Sequence, residues 1–154
     1  MTIGLLCEHD EAVARWAFET WQLQPLMKFD KAIGLIDNKT SRLVGAVVFQ
    51  CWNGWNVELS YYGLKPTLSP GVVKALSRFI LFTFNASRVT VSTSRKNKAL
   101  MRSLQRLGFK LEGAQRRFYG HRDCNRNTAI RFVLFREQLE KFAALPDNKE
   151  RKTC

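Results

Sequence analysis

Alternating side chains at residues 55–62 place polar, reactive groups along one face of a predicted strand. One face would carry the apolar residues Trp55, Val57, Leu59 and Tyr61, and the other the polar residues Asn56, Glu58, Ser60 and Tyr62. The polar face therefore presents a carboxylate, a hydroxyl and a phenol. A carboxylate on such a face can accept a proton from a reacting group, which makes Glu58 a candidate general base. A surface carboxylate with no chemical role fits the pattern equally well.

Two helices are predicted after that strand, and both have clear start signals. Ser69 is a preferred N-cap, and Pro70 suits the first helical position because that position needs no N–H donor. The apolar stripe of this helix is formed by Val72, Val73, Leu76, Phe79 and Ile80. Asn97 can cap a second helix that ends at Gly108. Its apolar face is formed by Leu100, Leu104 and Leu107.

The remaining predicted elements complete a sheet. Strands are predicted at residues 32–37, 43–51, 55–62, 88–94, 110–119 and 127–136. The second of these is apolar on both faces, which is typical of a central strand. Asn53-Gly54 favours a type I′ hairpin turn, and Asp10 is a candidate cap for a first helix. The resulting order predicts an α+β fold with a mixed, mostly antiparallel central sheet flanked by helices.

The composition is that of one globular domain. The chain has 154 residues, of which 45% are hydrophobic, which is enough for a single core. We expect one domain at residues 1–145 and a charged, frayed tail at 146–154. No apolar run reaches the roughly 20 residues that cross a bilayer, and we expect no secretory signal in the N-terminal residues. A cytoplasmic protein with no membrane partner is therefore expected.

The cysteines and histidines do not form a metal-binding pattern. They are Cys7, Cys51, Cys124, Cys154, His9 and His121. They are widely scattered and fall at no zinc-site spacing. We expect reduced thiols and no metal.

The charge of the chain is strongly positive. Lysine and arginine number 25 against 13 acidic residues, which gives a formal net charge of +12. A field of this sign attracts polyanions, and these include nucleic acid, an acidic membrane and a multiply phosphorylated cofactor. The charge alone does not choose among them, and a basic surface that only aids solubility is also compatible with it.

Residues 32–136 resemble the GNAT family of acyl-CoA N-acyltransferases, particularly its amino-terminal and ribosomal-protein acetyltransferase branch. The most specific part is the segment 97–113, with an asparagine, a helix, Leu-Gly-Phe, a strand and Glu-Gly. Residues 57–62 are similar to the fourth strand of the family. The resemblance implies a GNAT-like fold. It also implies an N-acetyltransferase that moves an acetyl or short acyl group from acetyl-CoA, or another acyl-CoA, to an amine by direct attack in a ternary complex.

The resemblance also implies a cofactor site. The family splays its fourth and fifth strands and lays the pantetheine arm between them, so the backbone of Leu59, Ser60 and Tyr61 would pair with that arm. The start of the next helix would hold the pyrophosphate. Its donors would be the Ser69 hydroxyl and the N–H groups of Gly71, Val72, Val73 and Lys74. Asn97 is implied as a further cofactor-binding residue, although a plain helix cap is the commoner role of such an asparagine.

Two departures from the family pattern bear on activity. In the phosphate loop, Pro70 donates no N–H and Gly71 is the one glycine that remains. The charged side chains that could replace the lost donors are Lys65, Lys74, Arg95, Lys96 and Lys98. Leu104 stands where many relatives carry the tyrosine that protonates the leaving thiolate. The substitutes for that acid, which the sequence does not rank, are Tyr119, Tyr62 and Ser94.

Two other functions stay open. A non-catalytic interaction module with the GNAT fold is favoured by Pro70 and Leu104. A basic nucleic-acid-binding protein is favoured by the net charge and by arginines near the last hairpin, although the absence of a known binding motif in the sequence counts against this partner. These arginines are Arg116, Arg117, Arg122, Arg126 and Arg131. They could equally receive an acidic acceptor protein, and a small-molecule amine is the other acceptor class.

Overall fold

A computed structural model describes residues 2–21, 28–64 and 67–144, and in this part of the chain seven strands form one sheet. The strands are β1 (Ile3–Leu6), β2 (Lys31–Asp37), β3 (Arg42–Gln50), β4 (Asn56–Gly63), β5 (Arg88–Ser94), β6 (Lys110–Gln115) and β7 (Ala129–Phe135). They lie in the order β1-β2-β3-β4-β5-β7-β6. Only the β4–β5 pair is parallel. The predicted mixed, mostly antiparallel sheet is therefore confirmed.

Helices cover both faces of this sheet. The α-helices are α1 (Asp10–Thr20), α2 (Pro70–Phe79), α3 (Lys98–Arg106) and α4 (Arg136–Ala143). On one face α1 packs on β2 and β3, where Val13 and Ala17 meet Ala32 and Val48. Because this helix lies over β2 and β3, the same face of β4, β5 and β7 is left for polar side chains.

The larger core lies on the opposite face, beneath α2 and α4. Phe49 and Val57 are fully buried there and pack with Val72 and Leu139. A short π-helical turn, Ile80–Phe84, extends α2 and ends at Asn85, which has a left-handed φ of 50°. Farther along the same face, α3 packs on β5 and β7 through a separate buried cluster. The members of that cluster are Val91, Leu104, Ile130 and Phe132.

The sequence-based prediction did not include β1 or α4. β1 has four residues, too few for an alternating pattern, and it is held by antiparallel pairing with β2. α4 begins directly after β7, and its N-cap residue, Phe135, makes no side-chain capping hydrogen bond. Neither boundary therefore carries a local sequence signal.

The predicted cap at Asp10 is wrong, because Asp10 is the first residue of α1 and His9 precedes it as the N-cap. The Asp10 carboxylate instead accepts a hydrogen bond from the Ala32 N–H at 3.0 Å. It thereby ties the start of α1 to β2, and a carboxylate in the first helical turn also suits the helix dipole.

The predicted type I′ turn at Asn53-Gly54 is also wrong. Of these two residues only Gly54 has a positive φ, at 96°, whereas a type I′ turn needs two. The Asn53 side-chain oxygen accepts from the N–H groups of Trp55 and Asn56, at 2.9 and 2.7 Å. The loop is therefore longer, and Trp55 lies outside the strand with 70% of its surface exposed.

The expectation of reduced thiols holds for Cys51 and Cys124 but is wrong for Cys7, which is disulfide-bonded. Among the described residues, no helix is long and apolar enough to cross a bilayer, and no cluster of acidic, histidine or cysteine side chains could hold a metal ion. The predicted tail at 146–154 and Lys65 lie outside the described residues.

Candidate active site

β4 and β5 pair along only part of their length and then diverge. Residues 56–58 pair with 88–90, whereas β4 continues to Gly63 and β5 to Ser94. We call the resulting opening the fork, and Glu58 is the last β4 residue before it. The Leu64 N–H donates to the Val44 carbonyl oxygen at 2.9 Å. Because hydrogen-bonding direction alternates along an antiparallel strand, Leu59 and Tyr61 direct their backbone groups away from β3 and into the fork.

The fork continues into an open cleft of about 550 Å³. Its walls are the end of β4, the loop before α2 and one face of α3. The lining residues are Tyr61, Gly63, Leu64, Thr67, Leu68, Ala99, Leu100, Ser103, Arg106 and Leu107. The Tyr61 hydroxyl lies 2.5 Å from the Thr67 hydroxyl, which ties β4 to the loop. The spacing of Ala99, Ser103 and Arg106 places them on one helical face, a signal from which the sequence could have identified Ser103 and Arg106.

A smaller apolar cavity of about 70 Å³ lies deeper, under the sheet. Leu59, Val91 and Leu104 are among its lining residues. Leu104 retains only 4% exposure and packs in the cluster with Phe132. Leu104, which the resemblance aligns with a catalytic tyrosine, is therefore a core residue in this chain.

The start of α2 confirms the predicted Ser69 cap, because the Ser69 hydroxyl accepts from the Val72 N–H at 3.4 Å. The Val73 N–H donates to the Ser69 carbonyl oxygen at 2.9 Å. Of the four backbone N–H groups predicted to hold the pyrophosphate, those of Val72 and Val73 therefore already donate within the helix start. Lys74, predicted both as a donor and as a compensating charge, has a buried side chain. Gly71 is half-buried at the second helical position.

Asn97 and Ser94 have structural partners at the end of β5. The Asn97 side chain accepts from the Leu100 N–H at 3.2 Å, which is the plain capping role. The Ser94 hydroxyl donates to the Arg126 carbonyl oxygen at 2.7 Å and accepts from the Lys96 N–H at 3.3 Å. Since its proton is engaged by a backbone carbonyl, Ser94 is the poorer of the predicted acids.

The polar face of β4 carries a hydrogen-bonded cluster at the fork. Glu58 forms an ion pair with Arg131 of β7, which is 73 residues away in the sequence. The Ser60 hydroxyl accepts from the Gln50 side-chain amide at 3.0 Å. The Tyr62 ring lies 5.4 Å from the Trp21 ring, between centroids. Sequence reasoning placed Arg131 only in a basic cluster and did not identify Gln50 or Trp21, because these contacts depend on sheet order.

Two further titratable groups face this cluster. Desolvation and then the charge of Tyr62 raise the pKa of Tyr119, and the smaller effects of Arg131 and Glu58 oppose each other, with Arg131 lowering that pKa and Glu58 raising it. Desolvation and the Glu58 carboxylate, through its charge and a hydrogen bond, raise the pKa of Cys51. Both groups therefore keep their protons at neutral pH. The structure brings Tyr119, Tyr62 and Glu58 together and leaves Ser94 with other partners.

No protein-family model and no curated protein sequence matches the chain. Solved structures do match it. A GCN5-related N-acetyltransferase from Brucella melitensis is 19% identical over 82% of this chain, with a TM-score of 0.60. The match spans 60% of the length of that protein.

Two further solved structures match the chain with similar TM-scores and low sequence identity. The spermidine N-acetyltransferase from Vibrio cholerae, solved with CoA and spermine, is 12% identical, with 90% of this chain and 98% of that chain covered and a TM-score of 0.64. The ribosomal-protein-S5-alanine acetyltransferase from Vibrio fischeri is 12% identical, with 82% and 69% covered and a TM-score of 0.59. At these identities the likeness concerns the fold. The predicted resemblance is confirmed at that level: the chain has the fold of the GNAT N-acetyltransferases.

Proposed function

We propose that this chain transfers an acetyl or short acyl group from acyl-CoA to an amine acceptor, by direct attack in a ternary complex. The observation that carries the proposal is the fork between β4 and β5, which begins at Glu58 and opens into the cleft beside α3. A pantetheine arm in the fork would pair with the backbone of Leu59 and Tyr61 like an added strand. The Leu59 N–H could then polarise the thioester carbonyl next to Glu58.

Glu58 is the proposed general base. It would take a proton from the acceptor ammonium, directly or through water, so that the nitrogen can attack the acyl carbon while the C–S bond breaks. Glu58 is the last β4 residue that pairs with β5, where the fork begins, and its side chain is 30% exposed. These two features support its proposed role between the two substrates.

Tyr119 is the proposed acid. Its phenol is protonated at neutral pH and lies beside Glu58 and Tyr62, so it can give a proton to the departing thiolate, and its raised pKa makes it a weak acid. A thiol with an ordinary pKa of about 8.5 leaves tolerably as the thiolate, so we expect the Tyr119→Phe change to have a smaller effect than loss of the base. Measuring the acyl-transfer rates of Tyr119→Phe and Glu58→Gln in one assay tests this order of effects.

Direct attack is favoured over a covalent acyl-enzyme by the state of Cys51. This thiol lies beside Glu58, but its raised pKa keeps it protonated, and the thiolate is the nucleophilic form. A route through an acylated Cys51 would therefore begin from the unreactive form. The Cys51→Ser variant should keep its activity, since no bond to that sulfur is proposed.

The phosphates of the cofactor would rely on side-chain charge, because Pro70 donates no N–H and Val72 and Val73 already donate within the helix start. Arg106 in the cleft wall is the proposed phosphate partner. We expect acetyl-CoA affinity to fall about tenfold in Arg106→Gln. Raising the salt concentration should weaken binding by wild type more than binding by the variant, since exposed charges are screened. Isothermal titration at two salt concentrations measures both effects.

Arg102 provides the matched control, because it is an exposed arginine on α3 that does not line the cleft. Arg102→Gln should bind acetyl-CoA as wild type does. Equal affinity losses in the two variants would indicate a general charge effect, and no heat with any acyl-CoA would remove the basis of the proposed function.

The neighbours described above include enzymes named for spermidine and for a ribosomal protein. An amine on a small molecule or on an acidic protein is proposed here. A non-catalytic acyl-CoA-binding module is the second candidate, favoured by the buried Leu104 at the usual acid position. Cofactor binding without amine-dependent release of CoA would support that second candidate.

A further inference from the structure

An ion pair occupies the start of the fork on the polar face of the sheet. Arg131 of β7 lies opposite Ser92 of β5, and the Arg131 side chain crosses β5 to reach Glu58 on β4. Glu58 is also the residue at which β4 and β5 separate. An amine that attacks a thioester held in the fork must therefore approach this pair of opposite charges.

Both members of the pair are accessible to a ligand, with 24% of the Arg131 side chain and 30% of the Glu58 side chain exposed. One terminal nitrogen of Arg131 donates to Glu58, and the other lies 3.5 Å from the Gln115 side-chain oxygen, which is a long hydrogen bond. A guanidinium carries five N–H donors in a planar fork that matches a carboxylate or a phosphate. Arg131 can therefore receive an anion while it stays in the site.

The arginine makes the site unfavourable for a purely cationic amine. An ammonium group that approaches Glu58 also meets the positive charge of Arg131, and like charges at a partly buried site repel. The net charge of +12 adds a longer-range repulsion against polycations. An anionic group beside the amine removes this penalty, because the anion pairs with Arg131 while the ammonium pairs with Glu58.

We infer, on the basis of the proposed function, that the acceptor is an amine with an adjacent carboxylate or phosphate, and that Arg131 selects it. The zwitterionic acceptor exchanges partners with the Glu58–Arg131 ion pair. Glu58 then takes one proton from the ammonium, the nitrogen forms its bond to the acyl carbon, and the C–S bond breaks to release the CoA thiolate. Tyr119 gives its proton to that thiolate and regains one from the nitrogen, which loses its second proton as the amide forms. Tyr62 and Tyr119 lie beside the Glu58–Arg131 ion pair. Polyamines should be poor acceptors, because they bring positive charge to Arg131 and have no anionic group that pairs with it.

Matched amines test this inference. β-Alanine is compared with β-alaninamide for the carboxylate, and O-phosphoethanolamine with ethanolamine for the phosphate. We expect kcat/KM for the preferred anionic amine to exceed that of its neutral partner by about tenfold or more, mainly through KM. Arg131→Gln should reduce this ratio to about one, and Arg131→Lys should retain part of it because the charge remains. Binding of the same four amines to the CoA-saturated protein is measured by isothermal titration.

Arg88→Gln is the control, because Arg88 forms an ion pair with Glu112 on the same sheet and its side chain is 31% exposed. In Arg88→Gln, the ratio of kcat/KM for the anionic amine to kcat/KM for its neutral partner should equal that of wild type. Equal kcat/KM values within both amine pairs, or a preference that survives Arg131→Gln, would overturn the inference while leaving the proposed function intact. Selective binding through Arg131 without an acetylated product would support the inference and contradict the proposed function. If none of the four amines binds, the inference is wrong.

Discussion

Replacing Glu58 with glutamine is expected to lower the rate of acyl transfer by about 10²–10⁴-fold, because a positioned base contributes that much to proton transfer. Glutamine keeps the shape of the side chain and can still accept a hydrogen bond from Arg131, so the fold should be preserved. The affinity for acetyl-CoA should stay within about twofold, since the carboxylate is proposed to act on the acceptor and not on the phosphates. A pH–rate profile of both proteins, with acetyl-CoA affinity measured in parallel, checks this prediction.

Glu112→Gln provides the matched control for that change. Glu112 is also an ion-paired carboxylate, held by Arg88, but it lies on β6, outside the fork. Its variant should retain the wild-type rate. If the Glu58 and Glu112 variants have coincident pH–rate profiles, Glu58 is a surface carboxylate and the base lies elsewhere. An effect limited to the KM of the acceptor would make Glu58 a binding residue.

Placing a tryptophan at Ser103 is expected to weaken acetyl-CoA binding by about 100-fold, which corresponds to roughly 2.7 kcal/mol. Ser103 is exposed on α3 and lines the cleft that continues from the fork. An indole there would occupy space that the proposal assigns to the cofactor. The side chain is on the surface, so α3 should tolerate the change. Isothermal titration and a thermal-shift series with acetyl-CoA measure the loss.

Gln105→Trp controls for the added aromatic group, because Gln105 is exposed on α3 but does not line the cleft. This variant should bind acetyl-CoA as wild type does. Wild-type affinity in Ser103→Trp would mean that the cofactor does not use the cleft. Equal losses in both variants would point to damage to α3 rather than to a blocked site.

The parts of the fold that could be predicted from the sequence depend on local signals. The Ser69 and Asn97 caps each satisfy orphan backbone N–H groups, and both are confirmed. The stop of α3 is confirmed as well, because Gly108 has a φ of 93° that disfavours side chains. The strand at 88–94 is also confirmed, with the predicted bounds.

The parts that could not be predicted depend on partners distant in the sequence. The fork exists because β4 and β5 stop pairing after Glu58, and no single strand pattern encodes that divergence. Arg131 reaches Glu58 only because β7 inserts between β5 and β6 in the sheet. The hairpin prediction was wrong for a related reason, since the Asn53 side chain satisfies the loop N–H groups and replaces the expected two-residue turn. The role of Glu58 as a base stays a prediction.

Initial-rate kinetics with both substrates test the central claim most directly. Release of CoA and formation of the N-acetyl product are measured while acetyl-CoA and an amine, chosen from β-alanine, O-phosphoethanolamine and ethanolamine, are varied. Direct attack in a ternary complex predicts one N-acetyl product per CoA released and intersecting double-reciprocal lines. Parallel lines would indicate a covalent acyl-enzyme, and CoA release at a rate that does not depend on any of the amines would contradict the account.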